Sequence, residues 1–345
     1  MSQVTDIFDK LDKDDQLQLV QMSQTGGCMF MDSLVSKNSI KNRYNNILPF
    51  DNTRVNVKNM LLFHDTDYIN ASLIDLNNNG VENKYIATQA PLESTCLAFW
   101  LMVMERKCPV IVMLTELIEG FNIKADKYWP NEVNQTIQFN TLNVTLVKEI
   151  KHQQLNYTER HIVLKLYQEV HYVVQLHYHG WSDHGTPDNV LQCIKIANHM
   201  ENIYKTSDNN SRPIVHCSAG VGRAGTFIGV HMLLCLLRSE SFVYSEDIVP
   251  NIILQMRKFR CGMVQRECQL EFIYKSLIYY QEHLDVLDNK YMQIGEDIDI
   301  PLFGDNNFNS LHMVPTMVCY RQDMTESGAF EQSEIGKTEL SSSGE

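Results

Sequence analysis

The 345-residue sequence predicts an α/β protein, and three features carry that expectation. Three runs rich in Val, Ile, Thr and Tyr, at 142–150, 161–166 and 170–177, alternate in part and are joined by short polar links, the pattern of an antiparallel meander. Segments with apolar residues at helical spacing flank them, at 97–107, 190–204, 247–259 and 267–283. Between the last three lies a short apolar strand, 213–216, which passes through a glycine-rich loop into a long apolar helix ending at Leu237.

The remaining elements follow in chain order. Residues 1–40 read as amphipathic helix, with Ile7, Phe8, Leu11, Leu17, Leu19 and Val20 recurring among charges. From Asn42 the chain is loop-like, through Pro49 and Asp51-Asn52. Short β-type runs follow at 68–73, 84–87 and 109–114. After about Asp285 acids are scattered and the end is Ser341-Ser342-Ser343-Gly344-Glu345, a composition suited to a flexible segment. The expected organisation is therefore an N-terminal helical segment (1–40), a catalytic domain (41–285) and a tail (286–345), with no internal repeat.

Bulk composition narrows the function. With 44% hydrophobic residues the chain can bury one large core. A formal net charge of -13 repels nucleic acid and anionic lipid at long range, so nucleic acid is not an expected partner. A phosphate ligand would need a local positive trap. Nine cysteines without a C-x-x-C pair read as reduced thiols, and a cytoplasmic setting is expected. The first residues lack the basic-then-apolar pattern of a signal peptide, and the longest apolar run, 226–237, is too short to span a bilayer. No integral membrane segment is expected, and oligomeric state is not legible.

The chemistry is concentrated in Val215-His216-Cys217-Ser218-Ala219-Gly220-Val221-Gly222-Arg223-Ala224-Gly225-Thr226. Glycines let the loop curl with its N–H groups inward, and such a nest on a helix N-terminus binds a phosphate dianion. Arg223 can close the ring, its fork matching two phosphate oxygens. The same dipoles and charge favour a thiolate at Cys217, poised for in-line attack on phosphorus. His216 braces the loop. Its neighbour's side chain points the other way on an extended strand, which argues against a cysteine-protease pair. No metal or other cofactor is needed for this chemistry.

The pattern His-Cys-x5-Arg-x-Gly resembles the signature of the protein tyrosine phosphatase family, in its large tyrosine-specific, non-receptor-like branch. Further ordered segments are similar to that family from about Lys41 to His283: Asn42-Arg43-Tyr44, Asp67-Tyr68-Ile69-Asn70, Tyr85-Ile86-Ala87-Thr88-Gln89-Ala90-Pro91, Lys127-Tyr128-Trp129-Pro130, Trp181-Ser182-Asp183-His184-Gly185 and Arg257-Lys258-Phe259-Arg260. The resemblance implies a single catalytic domain on a highly twisted mixed β-sheet flanked by helices. It also implies hydrolysis of phosphotyrosine in signalling proteins through a phosphocysteine. In that scheme Cys217 is nucleophile and Arg223 holds phosphate, with the amides of Ser218, Ala219, Gly220, Val221 and Gly222. Asp183, which alone would read as a turn aspartate, becomes general acid and later base beside Trp181. Gln265 places the hydrolytic water, with Gln269 in support. Tyr44 walls a pocket deep enough for phosphotyrosine, and Asn46 stands where the family commonly has an Asp that binds substrate backbone. Glu119 resembles the acid paired with the signature Arg and Lys124 the base near the acid loop; both would be ordinary surface charges were the loop between them mobile.

Three departures stand out. Ala224 lacks the hydroxyl that the family commonly offers the cysteine sulfur. Ser182 replaces the proline of Trp-Pro-Asp, loosening φ and the lid. Ala90 replaces a glycine, and a left-handed conformation there would be strained. These leave two readings: an active enzyme slowed by these changes, or a pseudophosphatase that binds and shields phosphotyrosine.

Overall fold

The computed structural model describes residues 3–24, 29–63, 66–182, 185–207, 211–240 and 242–283. Helix α1 (Gln3–Gln24) is followed by two single turns, α2 (Met31–Leu34) and α3 (Ser36–Ser39). Strand β1 (Arg54–Asn56) precedes a long hairpin, β2 (Tyr68–Asn78) and β3 (Val81–Thr88), then α4 (Cys96–Glu105) and β4 (Val110–Met113). A small hairpin, β5 (Ile118–Glu119) and β6 (Asn122–Ile123), leads to β7 (Thr136–Phe139), β8 (Leu142–His152), β9 (Tyr157–Leu166) and β10 (Glu169–Tyr178). Helix α5 (Val190–Lys205), strand β11 (Ile214–His216) and helices α6 (Gly222–Leu237), α7 (Ile248–Phe259) and α8 (Glu267–Glu282) follow.

The segments read as strands and helices in the domain lie on elements of those kinds. The hairpin strands run further than hydrophobicity suggests, because pairing recruits polar residues such as Asp75 and Glu82 at their outer ends. The strands β1, β5, β6 and β7 escape the sequence reading because two to four residues are too few to show alternation.

Nine strands form one mixed sheet in the order β1-β2-β3-β11-β4-β10-β9-β8-β7. The pairs β3–β11, β11–β4 and β4–β10 are parallel and the rest antiparallel. Strand β11 has only three residues, all buried, and sits between two parallel neighbours. Loops leaving the carboxyl ends of such strands converge on one rim, where ligands of parallel sheets bind. Ile214 joins an apolar cluster with Trp100, Phe99 and Met102 of α4. Helix α6 is apolar on nearly every side and is correspondingly buried, packed among α5, α7, α8, β3 and β11.

The amphipathic reading of the N-terminus needs correction. In α1 the buried residues are Val4, Leu11 and Asp15, while Leu17 and Val20 are 61% and 52% exposed. Only the first half of the helix docks, against α7 and α8. Arg257 on α7 fixes it, donating to the Leu11 carbonyl (3.1 Å) and to Asp12 (2.9 Å).

The described residues form one compact unit, apart from Tyr244–Glu246, which fall in a second. The expected tail, 286–345, lies outside the described residues. No helix among the described residues is long and apolar enough to cross a membrane.

Truncating the docked half of α1 should destabilise the fold. Leu11→Ala should cost about 2–4 kcal/mol, and Leu17→Ala less than about 0.5 kcal/mol. Urea midpoints read this directly; equal midpoints for the two variants would show that α1 does not dock in solution.

Candidate active site

A cavity of about 200 Å³ opens over the loop that follows β11. From the loop it is lined by Cys217, Ser218, Ala219 and Gly222; around them stand Tyr44, Asn46, Lys124, Arg223, Gln265 and Gln269. The structure thus brings together most of the residues singled out by sequence. Asp183, the expected acid, lies outside the described residues.

The curl of the loop has a physical cause. Gly220 sits at φ +74°, and a Cβ there would lie 2.1 Å from the Thr88 carbonyl oxygen, so both torsion and space demand glycine. Its N–H donates to the Cys217 sulfur at 3.2 Å. The carbonyls of the loop are held from behind. Arg260, fully buried, donates to Gly220 O (2.8 Å) and Ala219 O (3.0 Å), and its far side is tied to Asn70 (2.7 Å) and Ser72 (3.1 Å). A peptide unit whose carbonyl is tied outward turns its N–H the other way, toward the cavity. Burial pulls the Arg260 pKa down to about 10, which leaves it cationic at neutral pH. Gly222 is not in left-handed space, and a Cβ there would lie 2.8 Å from Oε1 at the movable end of Gln265.

Arg223 is buried at the start of α6. Nη1 donates to Glu119 (2.6 Å) and to the Trp181 carbonyl (2.9 Å), and Nη2 reaches the other Glu119 oxygen at 3.4 Å. Glu119 is therefore no loose surface charge: it belongs to the β5–β6 hairpin and also accepts from Thr115 (2.9 Å). Trp181 is buried, its indole N–H donating to Gly185 O (2.9 Å), while Ser182 is exposed.

His216 lies under the loop. Nδ1 faces the Cys217 carbonyl (3.2 Å), which can only accept, so Nδ1 carries the proton. Nε2 then accepts from the Tyr128 hydroxyl (2.7 Å), whose oxygen receives the Gln175 amide (2.7 Å). Burial pushes the His216 pKa down to about 4, so this chain of donors stays intact at neutral pH.

Tyr44 is set by a polar web. The Ser218 hydroxyl donates to the Lys124 carbonyl (2.8 Å) and so accepts from Tyr44 (2.9 Å). Arg43 alongside donates to Ala90 O (3.3 Å), Pro91 O and Asp126 (both 2.7 Å). Asn42 accepts from Tyr68 (2.6 Å) and Asn70 (2.9 Å). Ala90, expected to be strained, is not in a left-handed conformation; its N–H donates to Ser218 O (3.0 Å). The strain lies instead at Val264, φ +64°, a β-branched residue in left-handed space. It is held there by its N–H on Val221 O (3.1 Å), by Arg257 on its carbonyl (3.0 Å), and by Gly225, where a Cβ would meet Val264 N at 2.6 Å. The next residue, Gln265, donates its backbone N–H to the Gln269 side chain (2.9 Å).

Sequence reasoning assigned no role to Arg260, Arg43, Tyr128 or Gln175. Nothing in a lone sequence marks a buried arginine, although Arg43, Tyr128 and Arg260 stand in the segments on which the resemblance rests.

A family model described as protein-tyrosine phosphatase matches residues 38–279. Tyrosine-protein phosphatase non-receptor type 20 of Rattus norvegicus is 39% identical over 252 residues, 73% of this chain and 57% of its own length. Tyrosine-protein phosphatase 1 of Caenorhabditis elegans is 35% identical over 247 residues, 71% of this chain and 23% of its own. The chain thus spans about half or less of these relatives. Among solved structures, the catalytic domain of human protein tyrosine phosphatase non-receptor type 18 superposes with a TM-score of 0.71 at 28% identity, covering 80% of this chain and 95% of that one. The same phosphatase in complex with HER2 phosphopeptides gives a TM-score of 0.71 over 80% and 98%.

The neutral, buried His216 sets a pH dependence. The unfolded chain protonates this histidine near 6.5, the folded one only near 4. Stability is therefore full above pH 6.5 and falls as pH drops toward 4, by up to about 3 kcal/mol from this group. Urea midpoints measured from pH 7 to 4 should show the fall, and His216→Asn, less stable at pH 7, should show a shallower one; parallel profiles would refute the assignment.

Proposed function

The chain belongs to the protein-tyrosine phosphatase family, and on that footing we propose that it hydrolyses phosphotyrosine in proteins through a phosphocysteine on Cys217. One observation carries the reading: the Cys217 sulfur, an inward loop amide and Arg223 share a single cavity at the N-terminus of α6. Four positive elements there — the loop amides, the helix end, Arg223 and the Arg260 behind — suit a phosphate dianion and an ionised sulfur.

In the first step the sulfur attacks phosphorus, the P–O bond to the tyrosine breaks, and Asp183 gives its proton to the departing phenolate oxygen. In the second, a water held by Gln265 and Gln269 attacks the phosphocysteine and returns its proton to Asp183. Phosphate leaves and the thiolate is restored. Tyr44, fixed by Ser218, sets the depth that a phosphotyrosine ring spans. Asn46, exposed at the rim, offers an amide oxygen to one substrate N–H. The Glu119 carboxylate orients Arg223, and Lys124 adds positive charge to the cavity lining. His216 orients the Cys217 carbonyl and so the first turn of the loop. Peptide substrates are supported by the phosphopeptide complexes of the type 18 relative.

The domain scheme is part of the proposal, with 1–40 docking on the catalytic unit and 286–345 as tail. A cytoplasmic location is supported by seven free cysteines and no disulfide among the described residues.

Ala224, buried and without a hydroxyl, supports the second reading of a binding protein that turns over negligibly. Losing one hydrogen bond to a charged sulfur costs about 1.5–3 kcal/mol, or roughly tenfold to a hundredfold in phosphoenzyme hydrolysis. With an aryl phosphate, the wild type should show a burst of phenol followed by slow turnover, with phosphate on Cys217 by mass spectrometry. Ala224→Ser should raise the slow rate and Cys217→Ser abolish both phases. Equal rates for wild type and Cys217→Ser, with phosphopeptide still bound, would establish the binding reading instead.

A further inference from the structure

Arg223 is held by two stretches of chain that one contact ties together. The first joins β4 to β5, residues 114–117, and leads to Glu119, which accepts from Arg223 Nη1 at 2.6 Å. The second leaves β10 at residues 179–181 and ends in the Trp181 carbonyl, which accepts from the same nitrogen at 2.9 Å. Between the two stretches His179 Nδ1 lies 2.7 Å from Glu116 Oε1.

We propose that Glu116 and His179 are positioning residues for Arg223, fixing the two stretches against each other and so the direction in which the guanidinium meets a bound phosphate. Their role presupposes the phosphotyrosine reading and belongs to that same site. The contacts close a ring. It runs from Glu116 to His179, along the chain to the Trp181 carbonyl, across Arg223 to Glu119, and back through the Glu116 N–H, which donates to Glu119 Oε1 at 3.3 Å. Thr115 braces the same oxygen, its hydroxyl donating at 2.9 Å. Members of a closed network support one another, so opening it at one point frees its neighbours to shift.

The histidine is well fixed for this task. Its backbone N–H donates to Asn156 O at 2.9 Å, and its Nε2 meets the Thr158 hydroxyl at 2.9 Å. A carboxylate only accepts, so Nδ1 carries a proton. The Thr158 hydroxyl can donate to a neutral ring or accept from a cationic one, so the contact with Glu116 persists in either state. His177, whose ring packs on that of His179 at 4.2 Å, ties the same stretch through its backbone. Its Nε2 donates to the Thr115 carbonyl (3.0 Å), and Nδ1 accepts from Arg160 (3.3 Å). Burial pushes the His177 pKa well below the usual histidine value, so this ring stays neutral and does not compete for the Glu116 carboxylate.

Both side chains are partly open to water, Glu116 41% and His179 30% exposed. An isolated ion pair in such a place shifts an equilibrium by about fivefold at most, which bounds the effect on phosphate capture. Neither residue lines the cavity, so the pair reaches a ligand through Arg223. Substitution there leaves Cys217, the loop amides and Gln265 in place.

The test uses the full chain carrying Cys217→Ser, which binds without turnover, and a phosphotyrosine peptide titrated by calorimetry. His179→Ala and Glu116→Ala should each weaken binding about three- to fivefold, and the two together no more than either alone. His179→Asn places an amide N–H where Nδ1 stands and should recover most of the loss. A contribution to stability alone would lower the Tm without moving the affinity. Unchanged affinities, additive losses, or an Asn variant as weak as the Ala variant overturn the pair's role. A Cys217→Ser parent that binds no phosphotyrosine peptide would instead overturn the phosphotyrosine reading, and the pair's role with it.

Discussion

The site depends on the direction in which five peptide units point. Backbone amides bind an anion only when their carbonyls are engaged elsewhere, and in residues 217–221 that engagement is supplied by two kinds of partner. Arg260 takes the carbonyls of Ala219 and Gly220 from within the core. The His216 ring takes the Cys217 carbonyl, and main-chain donors take the rest: Ala90 N–H on Ser218 O, Val264 and Gly225 N–H on Val221 O. A buried cation used this way is expensive to desolvate. The cost is offset because Asn70, Ser72 and two carbonyls satisfy its donors, and because its charge sits behind an anion site.

That arrangement explains why scattered sequence segments converge here. Strand β11 is too short to hold the loop alone, so its neighbours must. The end of β3 supplies Thr88, whose carbonyl leaves room only for a glycine at 220, and Ala90, which pins Ser218. Arg43 binds the same stretch and Asn42 the neighbouring β2, and together they place Tyr44 at the cavity edge. The Val264 segment is forced into left-handed space against the loop and presents Gln265. Rigidity of this order suits a site whose ligand is a small dianion, since amides that must reorient on binding lose much of their effect.

How far the sequence discloses this follows from the range of each interaction. Local patterns were legible: the meander, the α6 helix and the Cys217–Arg223 loop show themselves through alternation, apolar spacing and glycine placement. Contacts between residues far apart in the chain were not. Arg260 and Gly220 are forty residues apart, and Tyr128 and His216 eighty-eight. Nothing in either neighbourhood alone distinguishes a buried arginine from a solvated one. The apolar residues of α1 misled for a related reason: helical spacing tells which residues share a face, but only the partner decides how much is covered, and α7 and α8 reach half of it. Ala90 shows the converse, where an expectation of strain drawn from one substitution failed because the backbone there lies outside left-handed space.

The electrostatics complete the argument. A chain of formal charge -13 should repel a phosphorylated peptide, yet the proposed function has the cavity hold one of its groups. Screening reconciles the two, since at physiological ionic strength exposed charges act over about 8 Å. Within that distance a dianion bound as proposed would meet Arg223, Lys124, oriented amides and the end of α6. No carboxylate among the described residues lines the cavity, and Glu119 turns both its oxygens to the Arg223 guanidinium. On the proposed function, capture at the loop therefore rests on local positive charge that opposes the sign of the chain as a whole.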